Sequence, residues 1–366
     1  MKKATSIKIG VFSFIGTLII AAYHLELVFY NYLSVSDSTH EILVESFEYI
    51  ACVAMSFFFM KSGFLLYRNA TKENIGAKLK RRLFTLFVPF FLWNLPFLFI
   101  KLFQQFILHF DSEISIKKVI LKLTLFPYNG PLWYVFAIGV LCFIAPIILI
   151  IKEHKKMFMV MVGSVLALSI FIYGFNGLRF FIDLSDSNQA YIEWIERFFR
   201  YLPCYMVGSL LGMSNHEHFL ELKTNKKNKL CLICMSIIIS IVWIGFRNSL
   251  ANYIKLLFLF VQPYIIWIII DERLFDNDKE SEAIKCSFLI YAIHGIILNV
   301  ITHILEKKPL YELLPFSTTT VLYNATIIIL PVIFSAFICV ICIAIRKLLL
   351  FCKLKSVLSV LTGSRG

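Results

Sequence analysis

Charged residues are scarce in this sequence. Only 16% of its 366 residues are Asp, Glu, Lys or Arg, whereas a soluble domain of this size carries roughly 25%. In their place, 59% of the residues are hydrophobic, and these gather in long uncharged runs that contain most of the 37 phenylalanines. This composition excludes an ordinary soluble globule, and it excludes a disordered chain, which would be poor in apolar residues.

The sequence also lacks the spacings that would indicate a metal site or a disulfide framework. The nine cysteines fall mostly inside apolar runs, and the CxxC pair, Cys231 and Cys234, lies among Leu, Ile and Met. We therefore expect buried free thiols that fill space, with no metal and no permanently bound cofactor. There is no repeat of fixed period, and no duplicated pair of halves of the kind that many secondary transporters show.

Ten apolar segments are long enough to cross a bilayer, whose hydrocarbon core takes about 20 residues of helix. They cover residues 9–31, 47–68, 82–110, 131–151, 157–175, 191–213, 229–247, 251–271, 286–304 and 320–350. The gaps between them are too short for a separate soluble domain. The sequence therefore predicts an all-α, polytopic membrane protein, with about ten transmembrane helices in one bundle and a single domain over residues 1–366.

The positive charge of the chain follows a membrane topology. With the N-terminus inside, 24 Lys and Arg residues fall in the inner segments and seven in the outer ones. Cytoplasmic loops of membrane proteins carry such an excess, so we expect a multi-pass protein of the cell membrane with both termini in the cytoplasm. Because topology accounts for the net charge of +13, we expect contacts with membrane lipids and no nucleic-acid partner.

His24 is the first ionisable residue at membrane depth, where such residues are candidates for function. It follows the start of the first span by 15 residues, and this places it about 22 Å from the inner boundary at 1.5 Å per residue. An imidazole with a pKa of about 6.5 can take and return a proton at neutral pH, as a general base for a hydroxyl group must. The alternative is a structural histidine that is hydrogen-bonded between helices.

Further polar groups stand at or near membrane depth, and each has a structural alternative. Ser62 precedes a glycine at which helices can approach closely, and Lys61 can extend to the interface. A basic run at the cytoplasmic edge consists of Lys78, Lys80, Arg81 and Arg82. This run can hold a phosphorylated donor, although the topology alone also predicts positive charge there. Trp133 can be an interfacial anchor, and Tyr291 and His294 can be packing residues. From the predicted boundaries, His24 and His294 differ in depth by about 10 Å, which argues against a direct hydrogen bond.

The order of these features is more specific than any one of them. A histidine in the first span is followed by Phe58-Phe59-Met60-Lys61-Ser62-Gly63-Phe64-Leu65, by the basic run, by Pro131-Leu132-Trp133-Tyr134, and by Ser287-Phe288 with Tyr291 and His294. In this order, and in the ten-span count, the chain from about residue 9 to its last span resembles the acyltransferase 3 family of bacterial integral-membrane acyltransferases. Residues 200–209 are also similar to the family's sixth-helix sequence.

The resemblance implies transfer of an acyl group, usually acetyl from acetyl-CoA, to a hydroxyl of an envelope polysaccharide or of a lipid-linked sugar. His24 matches the family's essential histidine, and Arg82 matches the first arginine of its third-helix motif. Two positions depart from the pattern, because Ser13 stands where a cation is common and Thr85 replaces the second arginine.

The resulting hypothesis is a bacterial membrane enzyme in which acyl-CoA docks against Lys78, Lys80, Arg81 and Arg82. His24 would be the catalytic base, and the cavity would be lined by Lys61, Ser62, Trp133, Tyr291 and His294. The alternative is a non-enzymatic transporter or flippase for a lipid-linked sugar or small solute, which would also need a polar cavity. A family member that has lost catalysis and only supports envelope assembly is a third possibility.

Overall fold

The computed structural model describes residues 3–30, 37–106, 116–182, 186–214, 225–246, 249–275, 281–307 and 321–363. Within these ranges, the secondary structure is helical, with no strand. The α-helices, numbered in chain order, are α1 Lys3–Tyr30, α2 Asp37–Tyr67, α3 Ile75–Phe106, α4 Ile116–Lys122, α5 Trp133–Lys152, α6 Lys155–Ser169, α7 Asp186–Met213, α8 Lys226–Gly245, α9 Asn252–Ile269, α10 Glu282–Lys285, α11 Ser287–Lys307, α12 Val321–Phe351 and α13 Lys355–Thr362.

Each predicted span falls on one long helix, and α6 continues into a π-helical turn, Ile170–Gly174. Nine of the described helices are long and apolar enough to cross a membrane. The other long helix, α7, is more polar, because Glu193, Glu196, Arg197 and Arg200 lie in its middle part. The prediction of an all-α, polytopic membrane protein is confirmed.

The contacts divide the chain into two compact units, and the prediction of a single domain stays a prediction. The first unit comprises residues 1–9, 41–78 and 144–279. In it, α8 packs on α9, and α7 packs on α6, on α9 and on the π-helical turn. Small residues bring α2 and α7 together, because a Cβ atom added to Gly208 would lie 1.8 Å from the carbonyl oxygen of Met60. Such close approach is how helices associate in lipid, where burial of apolar area contributes little.

The second unit comprises residues 10–40, 79–143 and 280–366. In this unit, α11 packs on α12, on α13 and on a 3₁₀ turn, Gly130–Leu132, that leads into α5. Buried side chains of α1, α11 and α12 form its apolar core, among them Leu25, Phe29, Leu289, Ile290, Ile338 and Cys342.

Three thiols differ from the expectation. All nine cysteines are free, and six of them are buried, but Cys231, Cys234 and Cys352 are exposed. The expectation that this CxxC pair fills a protein core is therefore wrong. The reason is that α8 turns most of its apolar surface away from the protein, so its side chains face the lipid of the bilayer.

Candidate active site

Two histidines meet inside the second unit. The ring of His24 on α1 and the ring of His294 on α11 are stacked, with centroids 5.5 Å apart and an angle of 22° between their planes. His294 is fully buried and His24 is half-buried. The estimate that the two residues differ in depth by about 10 Å is wrong. It assumed upright helices that begin in a common plane, and the contact between α1 and α11 shows that this assumption fails.

The hydrogen bond of His294 determines its tautomer. Its Nδ1 atom lies 3.2 Å from the carbonyl oxygen of Ile290, and a carbonyl oxygen only accepts hydrogen bonds. Nδ1 therefore carries a hydrogen, which leaves the neutral ring with a lone pair on Nε2. Nε2 is buried and has no hydrogen-bond partner among the residues that the structure describes. It is an acceptor that a hydroxyl group could satisfy.

Tyr291 lies one helical turn before His294, and its ring centroid is 5.7 Å from that of His294. The Tyr291 hydroxyl donates a hydrogen bond to the carbonyl oxygen of Pro131, in the turn before α5. Its ring also makes an edge contact with Tyr134, at 6.2 Å between centroids. Trp133, the first residue of α5, is half-buried beside this turn. Tyr291 thus fixes the entry of α5 against the helix that carries His294.

Two buried amides, Asn94 and Asn129, complete this arrangement. Asn94 Oδ1 accepts a hydrogen bond from the backbone N–H of Asn129 at 3.0 Å, and Asn129 Nδ2 donates to the carbonyl oxygen of Ala292 at 2.9 Å. Asn129 also touches Gly295, where an added Cβ atom would lie 2.0 Å from Asn129 Oδ1. These contacts tie α3, the turn before α5 and α11 together around the histidines. His24, His294, Tyr291, Asn94 and Asn129 are called the histidine cluster below.

The two asparagines are not among the residues predicted from the sequence, because those candidates are ionisable residues within the apolar segments. A signal was nevertheless present. Asn94 stands in the middle of a strongly apolar run, and an amide at that depth needs hydrogen-bond partners as much as a charge needs a counterion.

The basic run divides into residues with different surroundings. In the second unit, Lys80 and Arg81 are exposed and Arg82 is half-buried. The Nε atom of Arg82 is buried and makes no hydrogen bond within the described parts of the chain. Lys78 belongs to the first unit, where its ammonium group donates to the carbonyl oxygens of Leu66 and Arg68 and so caps the end of α2. The structure therefore assigns Lys78 a structural task rather than a free charge for a donor.

Thr85, at the second arginine position of the family's motif, lies against the C-terminal helix. Pro89 has no N–H group to bond the carbonyl oxygen of Thr85, and Gly363 packs against this oxygen, at 2.1 Å from an added Cβ atom. Trp93 Nε1 donates to the carbonyl oxygen of Leu361 at 3.0 Å. The end of α13 is thus held along α3 where the motif's second arginine would stand. At the other departing position, Ser13 is buried and its carbonyl oxygen accepts from Thr17 at 2.8 Å.

Lys61 and Ser62 lie on α2, in the first unit. Ser62 is buried next to Gly63, where an added Cβ atom would lie 2.3 Å from the carbonyl oxygen of Tyr205 on α7. This is the close helix approach that the Ser-Gly pair allows. The Lys61 ammonium lies 4.7 Å from the centroid of the Phe58 ring, and Lys61 borders a small apolar pocket with Phe57, Met60 and Trp267.

The fold and the histidine cluster together define a polytopic, helical membrane protein with a titratable, hydrogen-bonding site inside one of its compact units. The chain matches the acyltransferase 3 family model, described as an acyltransferase domain, over residues 11–346, and it belongs to this family. It is therefore an acyltransferase that transfers groups other than aminoacyl groups, and the non-enzymatic transporter is set aside. Comparison with curated proteins and with solved structures gave no match.

Proposed function

We propose that this membrane acyltransferase moves an acetyl group from acetyl-CoA to a hydroxyl group of an envelope polysaccharide or its lipid-linked precursor. It would act in the cytoplasmic membrane of a bacterium, with both termini in the cytoplasm. The main support is the stacked contact between His24 and His294. The unit that contains this pair also carries the cationic edge of Lys80, Arg81 and Arg82.

The half-buried His24 is the proposed general base. As the hydroxyl oxygen of the acceptor attacks the thioester carbonyl carbon, the imidazole takes the hydroxyl proton and the new C–O bond forms. The C–S bond then breaks, and the imidazolium returns its proton to the departing CoA thiolate, so that the products are an ester and a free thiol. Such proton transfer typically contributes about 10²–10⁴-fold to the rate.

His294 is the proposed partner for a second hydroxyl group of the acceptor sugar, because the attacking hydroxyl gives its only hydrogen to His24. Its Nδ1–H is held by Ile290, so the Nε2 lone pair can accept a hydrogen bond from this second hydroxyl. This bond would orient the acceptor, and correct orientation lowers the entropy cost of the attack. Tyr291 and Asn129 would keep α11 and the entry of α5 in register around the acceptor.

The donor would be held by its phosphates. CoA carries several phosphate charges, and Lys80, Arg81 and Arg82 supply cations on one helix, α3. Arg82 fits this role because its guanidinium is half-buried and its Nε atom has no hydrogen-bond partner in the described residues. A phosphate oxygen would complete its hydrogen bonding.

The substitution His24→Ala tests the proposal. Purified protein in lipid nanodiscs receives radiolabelled acetyl-CoA and envelope polysaccharide, and label in the polysaccharide is measured. We expect His24→Ala to lose transfer by a factor of at least about 10². The matched control is His303→Ala, because His303 is an exposed histidine on α11 that pairs with Glu306. Normal transfer by His24→Ala at wild-type protein levels would remove the proposed mechanism. Mass spectrometry of the polysaccharide from a deletion strain would identify the acyl group and its acceptor.

A further inference from the structure

A second polar cluster lies in the first unit, around the charged residues of α7. Two arginines of this region differ in how well they are paired. Arg179 makes two parallel hydrogen bonds to Glu196, both 2.8 Å long, from its Nε and Nη2 atoms. This is the bidentate geometry that satisfies a guanidinium. The positive charge of Arg179 is therefore paired within the protein.

Arg200 has no comparable partner in the described parts of the chain. Its nearest carboxylate there is Glu48, with 3.9 Å between Arg200 Nη1 and Glu48 Oε1, a distance too long for a hydrogen bond. The same Nη1 atom lies 3.5 Å from Cys52 Sγ, and a thiol is only a weak acceptor. Among the residues that the structure describes, Arg200 Nε is buried and has no hydrogen-bond partner. The Nε atom, which Arg179 uses for its carboxylate, is thus without a hydrogen-bond partner in Arg200 within the described residues.

Aromatic rings enclose this guanidinium. Its central carbon lies 4.5 Å from the ring centroid of Tyr173 and 6.0 Å from that of Tyr201. Tyr173 is carried on the π-helical turn Ile170–Gly174, an irregular element that is frequent at functional sites. The rings contribute cation–π attraction, and the Tyr201 hydroxyl also hydrogen-bonds the Arg200 side chain, but a neutral phenol supplies no negative charge.

Burial of the Arg200 cation without a close anion costs free energy. A cation at membrane depth pairs with an anion or faces a polar cavity. The Arg200 side chain is 24% exposed and that of Glu48 is 35% exposed, so the group can be reached and the distant carboxylate can turn away. In the predicted topology, Glu48, Cys52 and Arg200 lie in the outer halves of the spans 47–68 and 191–213.

We propose that Arg200, Glu48, Cys52, Tyr173 and Tyr201, called the arginine cluster, bind the carboxylate group of an acidic sugar unit. The carboxylate takes the place of Glu48 beside the Arg200 guanidinium and accepts hydrogen bonds from its N–H groups. This inference rests on the proposed function and narrows it, because it makes the acceptor a uronic-acid-containing glycan.

Binding of D-glucuronate to the full-length protein in nanodiscs, without any acyl donor, tests this site. D-glucose serves as the neutral sugar, and sodium chloride serves at matched ionic strength. We expect glucuronate to raise the unfolding midpoint of the wild type, and glucose and chloride to leave it unchanged. Arg200→Lys should weaken glucuronate binding at least about tenfold, because lysine cannot form the bidentate pair. The control Lys72→Gln, which removes an exposed cation of the same unit, should bind as the wild type does.

Glu48→Gln gives an independent check if Arg200 variants fail to fold. It removes the competing carboxylate, so glucuronate should bind several-fold more tightly. Equal stabilisation by glucose or chloride, undiminished binding by Arg200→Lys, or unchanged affinity of Glu48→Gln would each overturn the proposal. Because the measurement contains no acetyl-CoA, its failure would leave the His24 result and the acyltransferase mechanism untouched.

Discussion

The histidine cluster and the arginine cluster are both polar groups buried in apolar helices, and each keeps an atom without a hydrogen-bond partner in the described residues, yet the first is built from neutral side chains and the second around a cation. In the histidine cluster, neutral side chains bond to backbone carbonyl oxygens, as His294 does with Ile290 and Asn129 with Ala292. In the arginine cluster, the guanidinium has its nearest carboxylate 3.9 Å away. Backbone carbonyls can satisfy neutral donors, whereas a cation also needs a negative charge. The first cluster should therefore respond to changes of geometry, and the second to anions.

Gly295→Ala should produce the largest effect on the histidine cluster. The added methyl group would lie 2.0 Å from Asn129 Oδ1, so the Asn129 side chain must move, which disturbs its hydrogen bond to the carbonyl oxygen of Ala292. Overpacking of this kind costs typically about 1–3 kcal/mol of stability. Displacement of reacting groups by 1 Å can cost about 10²-fold in rate. The measurements are the initial rate of acetyl transfer and the unfolding midpoint.

Gly76→Ala is the matched control for this prediction. An added Cβ atom at Gly76 on α3 meets nothing within 4 Å, so activity should stay unchanged and stability should be equal or slightly higher. If the two variants behaved alike, the contact between Gly295 and Asn129 would not be what holds the cluster in place.

The contrast also shows which features a sequence can predict here. Each long helix follows from its own run of apolar residues, and the scarcity of charge outside α7 makes these runs easy to read. The contacts of Asn94 with Asn129, and of His24 with His294, depend on the tilt and rotation of different helices. Hydropathy reports on one helix at a time, so it identified His24 and His294 as candidates but not their stacking.

Arg82 and Lys78 extend the comparison to the basic run. Lys78 is occupied by carbonyl oxygens of α2, whereas Arg82 Nε has no partner in the described residues. Arg82→Gln should raise the KM for acetyl-CoA by about tenfold, the effect of losing a charge-assisted hydrogen bond to phosphate. Lys78→Gln should lower the unfolding midpoint and leave that KM unchanged. Steady-state kinetics with varied acetyl-CoA, beside thermal unfolding, separates the two roles, and a raised KM for Lys78→Gln would return that residue to the donor site.

Arg346 offers the smallest effect and sharpens the contrast with Arg200, because this buried arginine has a close carboxylate. Its Nε atom donates to Glu282 at 2.8 Å, and Lys285 donates to the same carboxylate at 2.9 Å. The hydrogen bonds from Lys285 and Arg346 lower the pKa of Glu282 from 4.5 to about 2. A pKa that is depressed in the folded state stabilises the protein above the unfolded pKa, and this stabilisation is lost as the pH falls from 4.5 toward 2. Since Glu282 is 41% exposed, solvent screening should keep the contribution below about 1 kcal/mol.

The unfolding midpoint of the wild type should therefore exceed that of Glu282→Gln slightly at pH 6, and the gap should close as the pH approaches 2. A gap of constant size across this range would show that the ion pair of Arg346 does not contribute through its charge.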